Sequence, residues 1–426
     1  MKKSARLLSL VLIMAVVVSM GGCVFFGGKI SIHNRATIDF AEGKLILGSG
    51  YGFYQDKDEN LEPVLYENEE GDEKLMNFYR DRFVMAGDTV YAQAPGQLSE
   101  LWMYSEFDDG VMEHETIIDE DTFLEEQTKI NWFDNWTLID DKIYFSCVVQ
   151  LDMKEYHRER DYKIGYMSIE DEEIELFDDI CASDMVIDGD WIYYYDCDYE
   201  VDSDGTTNID SDSFEGEICR MKLDGSDSES LMDGFDFDSE DNDYYYGTGV
   251  GEMQVVGNYL YFIDGSDEGE SRVCRLNLKN GDSDYVTENG AYSYAISEDG
   301  KTLYYSEGRY NMIENGTRDV YETDLKSGDE DKLFETSTKH VFANGYLVVE
   351  DGCLYFISIN VSYPTENASV PALIRYDLET EETEVLDLSV ENEYEITTAV
   401  GPGGTVMENK ELISTEYFVE WIEYED

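Results

Sequence analysis

The sequence predicts an all-β fold, a β-propeller of four-stranded antiparallel blades, with eight blades preferred and seven as the alternative. The first reason is a short phrase that recurs along most of the chain: a tight polar turn, an aliphatic residue, then one or two aromatics. It reads Gly189-Asp190-Trp191-Ile192-Tyr193-Tyr194, Gly257-Asn258-Tyr259-Leu260-Tyr261-Phe262, Gly300-Lys301-Thr302-Leu303-Tyr304-Tyr305 and Gly352-Cys353-Leu354-Tyr355-Phe356, with looser copies at Gly87-Asp88-Thr89-Val90-Tyr91 and Asp141-Lys142-Ile143-Tyr144-Phe145. Such a period marks stacked copies of one supersecondary unit, none of which buries its apolar faces alone. The second reason is that the phrase is apolar on both strand faces, with Trp191, Tyr193 and Tyr195 pointing one way and Ile192 and Tyr194 the other. A strand of that kind needs a sheet on each side, which blades arranged around an axis supply. A linear solenoid meets the same need, but with shorter and more uniform rungs. Thirdly, helical periodicity is almost absent.

From the N-terminus, Lys2, Lys3 and Arg6 precede an apolar run from Leu7 to Val18, followed by Ser19-Met20-Gly21-Gly22-Cys23. A positive n-region, an apolar h-region and a small-residue cleavage site make residues 1–22 a signal peptide; the run falls short of the roughly 20 apolar residues that span a bilayer. Residues 23–29 are then the mature N-terminus and a short tether, and 30–426 a single propeller domain.

Anchoring each copy on the aliphatic residue of its second strand gives Leu45, Val90, Ile143, Ile192, Leu260, Leu303 and Leu354, at spacings from 43 to 68 residues. A degenerate eighth copy sits at Gly403-Gly404-Thr405-Val406, with a third strand at 417–422. In the clearest copy, residues 184–187, 191–195, 217–223 and 229–232 are the four strands, bounded by Gly and Asp turns. Ile30 to His33 precedes the first copy and has no blade of its own, so the two chain ends are expected to complete one sheet.

Two resemblances follow from these residues. Gly21-Gly22-Cys23 resembles the lipobox of bacterial lipoproteins, which implies that Cys23 is diacylated and that the body is exported and anchored to the outer face of the bacterial cytoplasmic membrane; a plain secretory signal cut near Gly22 is the alternative. Trp191-Ile192-Tyr193-Tyr194 with Ile218-Cys219-Arg220-Met221-Lys222-Leu223-Asp224-Gly225-Ser226 is similar to the repeat of secreted bacterial propellers grouped as a domain of unknown function and related to the YWTD repeats of lipoprotein receptors. Ile296-Ser297-Glu298-Asp299-Gly300-Lys301-Thr302-Leu303 looks like the Ser-x-Asp-Gly-Lys repeat of TolB-type propellers. The match covers the fourth to seventh copies, implies a fold and an interaction role, and carries no catalytic residue. Propellers of this kind also accompany prolyl peptidases, but the sequence has no Gly-x-Ser-x-Gly elbow.

With 97 acidic against 29 basic side chains, the net charge is −68. That field excludes nucleic acid as a partner and favours cationic peptides, metal ions or a neutral ligand. The 42% hydrophobic and 13% aromatic content speaks for a large core rather than for disorder. Seven cysteines become six once Cys23 is acylated, an even number that permits disulfides. Yet Cys219 and Cys274 occupy equivalent positions beside Met221, Leu223, Leu276 and Leu278, which favours free buried thiols.

The largest excursion from the repeat lies in the fourth copy. There Asp196, Asp198, Asp202, Asp204, Asp210 and Asp212 surround Gly205, and hard oxygen ligands on a turn-forming loop suit calcium. An EF-hand is not met, since its closing acidic position falls on Ser211; a solvated acidic loop is the competing account. Tyr199, Phe214 and Tyr244, Tyr245 and Tyr246 belong to the same inserted segments and are candidate ligand contacts, because loops on a rigid scaffold carry binding. Four scattered histidines define no Ser-His-Asp or Cys-His set. The expected function is therefore non-enzymatic: a monomeric, lipid-anchored scaffold that binds a protein, peptide or glycan. The alternative is a glycan-active hydrolase or lyase using carboxylates at the propeller mouth.

Overall fold

The structure, a computed structural model, describes strands and tight turns between residues 37 and 423. Residues 1–36, 119–128, 152–158, 199–212, 239–249, 266–270, 309–318, 336–339, 361–371, 401–405 and 424–426 lie outside the described residues, as do short stretches before residue 119 and between 171 and 181. The lipobox Cys23 and Ile30 to His33 fall there. Among the described residues no helix is long and apolar enough to cross a membrane.

The first sheet holds Thr37–Asp39 (β1), Gly43–Leu47 (β2), Gly52–Asp56 (β3) and Leu61–Pro63 (β4). The second holds Leu65–Glu67 (β5), Glu73–Leu75 (β6), Phe83–Ala86 (β7), Thr89–Gln93 (β8), Leu101–Asp108 (β9) and Val111–Ile118 (β10). Lys129–Ile139 (β11), Lys142–Leu151 (β12), Glu159–Ser168 (β13) and Ile174–Leu176 (β14) form the third; Ala182–Asp188 (β15), Trp191–Asp198 (β16), Ser213–Lys222 (β17) and Glu229–Asp238 (β18) form the fourth. The fifth is Val250–Val256 (β19), Tyr259–Asp264 (β20), Arg272–Asn277 (β21) and Ser283–Tyr285 (β22). Ala291–Ile296 (β23), Thr302–Glu307 (β24), Asp319–Asp324 (β25) and Glu330–Glu335 (β26) make the sixth. The last contains His340–Glu350 (β27), Cys353–Asn360 (β28), Ala372–Asp377 (β29), Thr383–Val400 (β30) and Val406–Glu423 (β31).

Six of these sheets are regular blades, each keeping its sheet's number, in which consecutive strands lie side by side and antiparallel, the last carrying β31 as an added fifth strand. The second sheet is a composite, since β5 joins β10 in parallel and brings β6 with it. The expectation of eight blades, or seven, is thereby corrected to six regular blades. The degenerate eighth copy makes no sheet of its own. Val406 opens β31, whose ladder with β30 runs from Val400↔Val406 to Glu384↔Glu423. A long hairpin satisfies these backbone groups without a second turn, so 417–422 is the end of one strand rather than a third strand.

First strands meet in succession, with β7 touching β11, β11 touching β15, β15 touching β19 and β23 touching β27, while β31 touches β4. The two-faced second strand explains the seams. Ile192 and Tyr194 join Tyr144, Ile164 and Phe177 of the third sheet. Tyr193 and Tyr195 join Val250, Leu260 and Phe262 of the fifth. Tyr261 and Ile263 repeat the pattern against Tyr294 and Leu303, and Tyr304 against Leu347 and Leu354. Ile192, Leu260, Leu303 and Leu354 are fully buried. At roughly 1.5–3 kcal/mol for each large apolar side chain, these seams are the main favourable term.

The Ser-x-Asp-Gly-Lys turn shows how one phrase is locked. Ser297 Oγ accepts from the backbone N–H of Thr302 at 2.9 Å and of Lys301 at 3.2 Å, and donates to Asp299 Oδ1. Gly300 sits at φ +67°, a region costly for a residue with a Cβ.

A second repeated device crosses three blades. Tyr193 stands opposite Arg220, which stands opposite Glu229; Tyr261, Arg275 and Asp284 are registered alike, as are Tyr355, Arg375 and Glu384. Each arginine pairs with its acid. The sixth blade breaks the pattern, with Tyr304, Glu322 and Asp331 in those places.

Candidate functional site

Antiparallel meanders sort their connections by end. First-to-second and third-to-fourth strand turns lie at one end and are tight, such as 189–190, 257–258 and 278–282. Second-to-third connections lie at the other end and are the long ones: 152–158, 199–212, 265–271, 308–318 and 361–371. Long connections on a rigid scaffold are where binding residues concentrate.

Of the sequence-predicted residues, the structure places Asp196 and Asp198 at the long-loop end of β16 and Phe214 near the start of β17. Asp196 is registered opposite Glu217, Asp198 opposite Glu215, and Phe214 opposite Phe237. Both ends of the insertion thus leave from adjacent strands. Tyr199, Asp202, Asp204, Asp210, Asp212 and Tyr244, Tyr245 and Tyr246 lie outside the described residues. Among the described residues no group of three His, Cys, Asp or Glu side chains is arranged to hold a metal.

Sequence reasoning missed a cluster at the same end of the fifth blade. Asp264 ends β20 opposite Arg272 and is only 4% exposed. The Tyr285 hydroxyl donates to Asp264 Oδ2 at 2.6 Å, and the Arg272 guanidinium lies 4.0 Å from the Tyr285 ring centroid. Burial, then the bond to Asp264, pushes the Tyr285 phenol well above its ordinary value, so it stays a donor. The signal was an acid ending an otherwise apolar strand, masked by the abundance of acids elsewhere. Nearby, Ser293 and Ser306 face each other across β23 and β24, almost fully buried, and their hydroxyl oxygens have no hydrogen-bond partner among the described residues.

The thiolate form is disfavoured at both third-strand cysteines. Burial, reinforced by Asp196 and Glu217, pushes Cys219 up to about 12, and burial with Asp264 and Asp284 does the same for Cys274. Cys219 and Cys274 are free, in line with the expected unpaired thiols, and so is Cys353. The described chemistry is that of hydrogen-bond donors, acceptors and aromatic surface.

No protein-family model matches the chain, and no curated protein matches it in sequence. Solved structures match the fold. A puromycin hydrolase S511A mutant complexed with PGG superposes with a TM-score of 0.54 at 10% identity, over 88% of this chain and 58% of that one. A Mycobacterium tuberculosis puromycin-hydrolyzing peptidase gives 0.52 at 12% identity, over 89% and 57%. The chain therefore spans less than two thirds of the length of these proteins. At such identity the likeness establishes the propeller architecture.

Proposed function

We propose that this protein is a lipid-anchored, cell-surface propeller that binds a protein, peptide or glycan at its long-loop end. The observation carrying the reading is the segregation of connections: tight, mutually similar turns at one end, and long, dissimilar acidic and aromatic segments at the other. Thiols and phenols held protonated in the described blades support recognition rather than nucleophilic chemistry. Anchoring rests on Cys23 and the lipobox resemblance; two acyl chains give stable membrane attachment where one gives only marginal binding.

The test places a photo-crosslinking side chain at Tyr199 or Tyr244, and at Lys279 in a tight turn, in cells that display the chain. Adducts from the first two positions and none from the third are expected. Equal adducts from both ends, or none from the long-loop end, would remove the reading. Cys23→Ser is expected to abolish incorporation of labelled fatty acid and release the chain to the medium; unchanged lipid labelling would point to another attachment residue.

A further inference from the structure

We propose that the groove between the fifth and sixth blades is a carbohydrate-binding site. It has a volume of about 380 Å³ and lies on the outer flank, between β22 and the turn joining β25 to β26. That volume falls within the roughly 300–1,000 Å³ typical of small-ligand sites.

The wall formed by β22 presents Tyr285, 43% exposed and the one exposed large hydrophobic side chain among the described residues. The ring is held in place: its hydroxyl is tied to the buried Asp264, and Arg272 covers it at 4.0 Å. An aromatic surface fixed at its polar tip loses little side-chain entropy on binding. Such a ring offers the apolar C–H face of a pyranose a stacking platform.

Deeper in the groove Arg275 is already committed. It donates to Asp284 through Nε at 3.2 Å and Nη2 at 2.7 Å, and across the seam to the Leu325 carbonyl at 3.0 Å. Asp324 is likewise occupied by the backbone N–H groups of Lys326 and Ser327. Lys326 and Glu288, both exposed, add a cation and a carboxylate to the lining. In a chain of net charge −68, this groove carries near-balanced charge, with donors and acceptors interleaved beside an aromatic face. A polyhydroxylated ring uses all three features. A cationic peptide would meet Arg275 and Lys326, and an anion would meet Asp284 and Glu288.

The crosslinking positions Tyr199 and Tyr244 do not line this groove, so its failure leaves the crosslinking outcome above untouched. The full chain in detergent micelles is examined by saturation-transfer NMR with cellobiose, maltose and N,N′-diacetylchitobiose. At least one disaccharide is expected to show saturable transfer to its ring C–H protons, lost in Tyr285→Ala and weakened but still present in Tyr285→Phe, which keeps the stacking face and loses the tie to Asp264. Lys326→Ala combined with Glu288→Gln, two exposed positions that leave folding intact, is expected to weaken it severalfold. No saturable transfer from any of the three sugars overturns the inference. So does transfer that survives Tyr285→Ala, or that is unchanged in the Lys326/Glu288 double variant.

Discussion

Cys219 and Cys274, read from the sequence as free buried thiols, are free and buried in the structure. Each lies on a third strand with its thiol against an apolar seam and carboxylates nearby, so the thiolate is disfavoured by both burial and charge. Alkylation by iodoacetamide at pH 8 is expected to leave both unmodified in the native chain and to modify both once denaturant unfolds it. Native-state labelling of either would show that its seam opens locally. A pH dependence follows with a definite sign. The folded thiols are raised from 9.0 to about 12, and the phenols of Tyr144, Tyr194 and Tyr355 from 10.0 to about 12, with burial the largest cause in each case. Groups raised on folding contribute fully below their unfolded values and lose that contribution as pH climbs through the folded ones. The urea midpoint should therefore be insensitive to these groups below about pH 9 and fall between pH 9 and 12. A midpoint that stays level to pH 11 would mean that these groups ionise without opening the blades.

At the level of the blade, the Tyr–Arg–acid row is both a register device and a seam clamp. Arg275 joins its own fourth strand to the next blade through Leu325, a planar bidentate geometry that lysine does not reproduce. Arg275→Lys is expected to cost about 1–2 kcal/mol, the value of a charge-assisted hydrogen bond with its partner left behind. The sixth blade supplies the opposite experiment. Glu322 faces Asp331 directly across the ladder, and like charges so placed are destabilising. Glu322→Arg, which restores the row seen in three sister blades, should stabilise by about 0.5–1 kcal/mol, read as a rise in urea midpoint. A loss instead would show that the adjacent seam, where Glu322 lies close to Tyr376, has adapted to the carboxylate. The same rows show what could be read from the chain alone. The second-strand phrase locates the seams because a strand apolar on both faces has few alternatives; Trp191 to Tyr195 fall inside β16, and 217–223 fall inside β17 except for Leu223. Blade number was not legible, because β30 and β31 carry β-branched and aromatic residues with turn-like Gly between them, and such a pattern does not distinguish a long hairpin from a new blade. Asp264 and Tyr285 are equally hidden, since their hydrogen bond joins second and fourth strands across the intervening β21, a contact that only the folded sheet brings about.

Across the molecule, 97 acids and 29 bases leave most carboxylates without a cation, and the described ion pairs sit mainly at blade edges. Mutual repulsion in the folded state exceeds that in an expanded chain, so screening should favour folding. The Debye length shrinks from about 30 Å at 0.01 M salt to about 3 Å at 1 M, which spans the separations between neighbouring blades. Sodium chloride is therefore expected to raise the Tm by several degrees over that range, most of it below about 0.15 M, where screening changes fastest. Calcium separates a general effect from a specific one. If the acidic insertion at 199–212 is a solvated loop, calcium and magnesium at matched ionic strength raise the Tm equally. If Asp202 and Asp204 are ligands, calcium adds stabilisation that saturates, as binding to the native state alone requires. Replacing both by asparagine then removes the excess while leaving the sodium response intact, because two charges among so many barely alter the general field. Saturable calcium stabilisation that persists in the double variant would move the cation away from this insertion, with the strand-end carboxylates Asp196, Asp198, Glu215 and Glu217 as the next positions to neutralise.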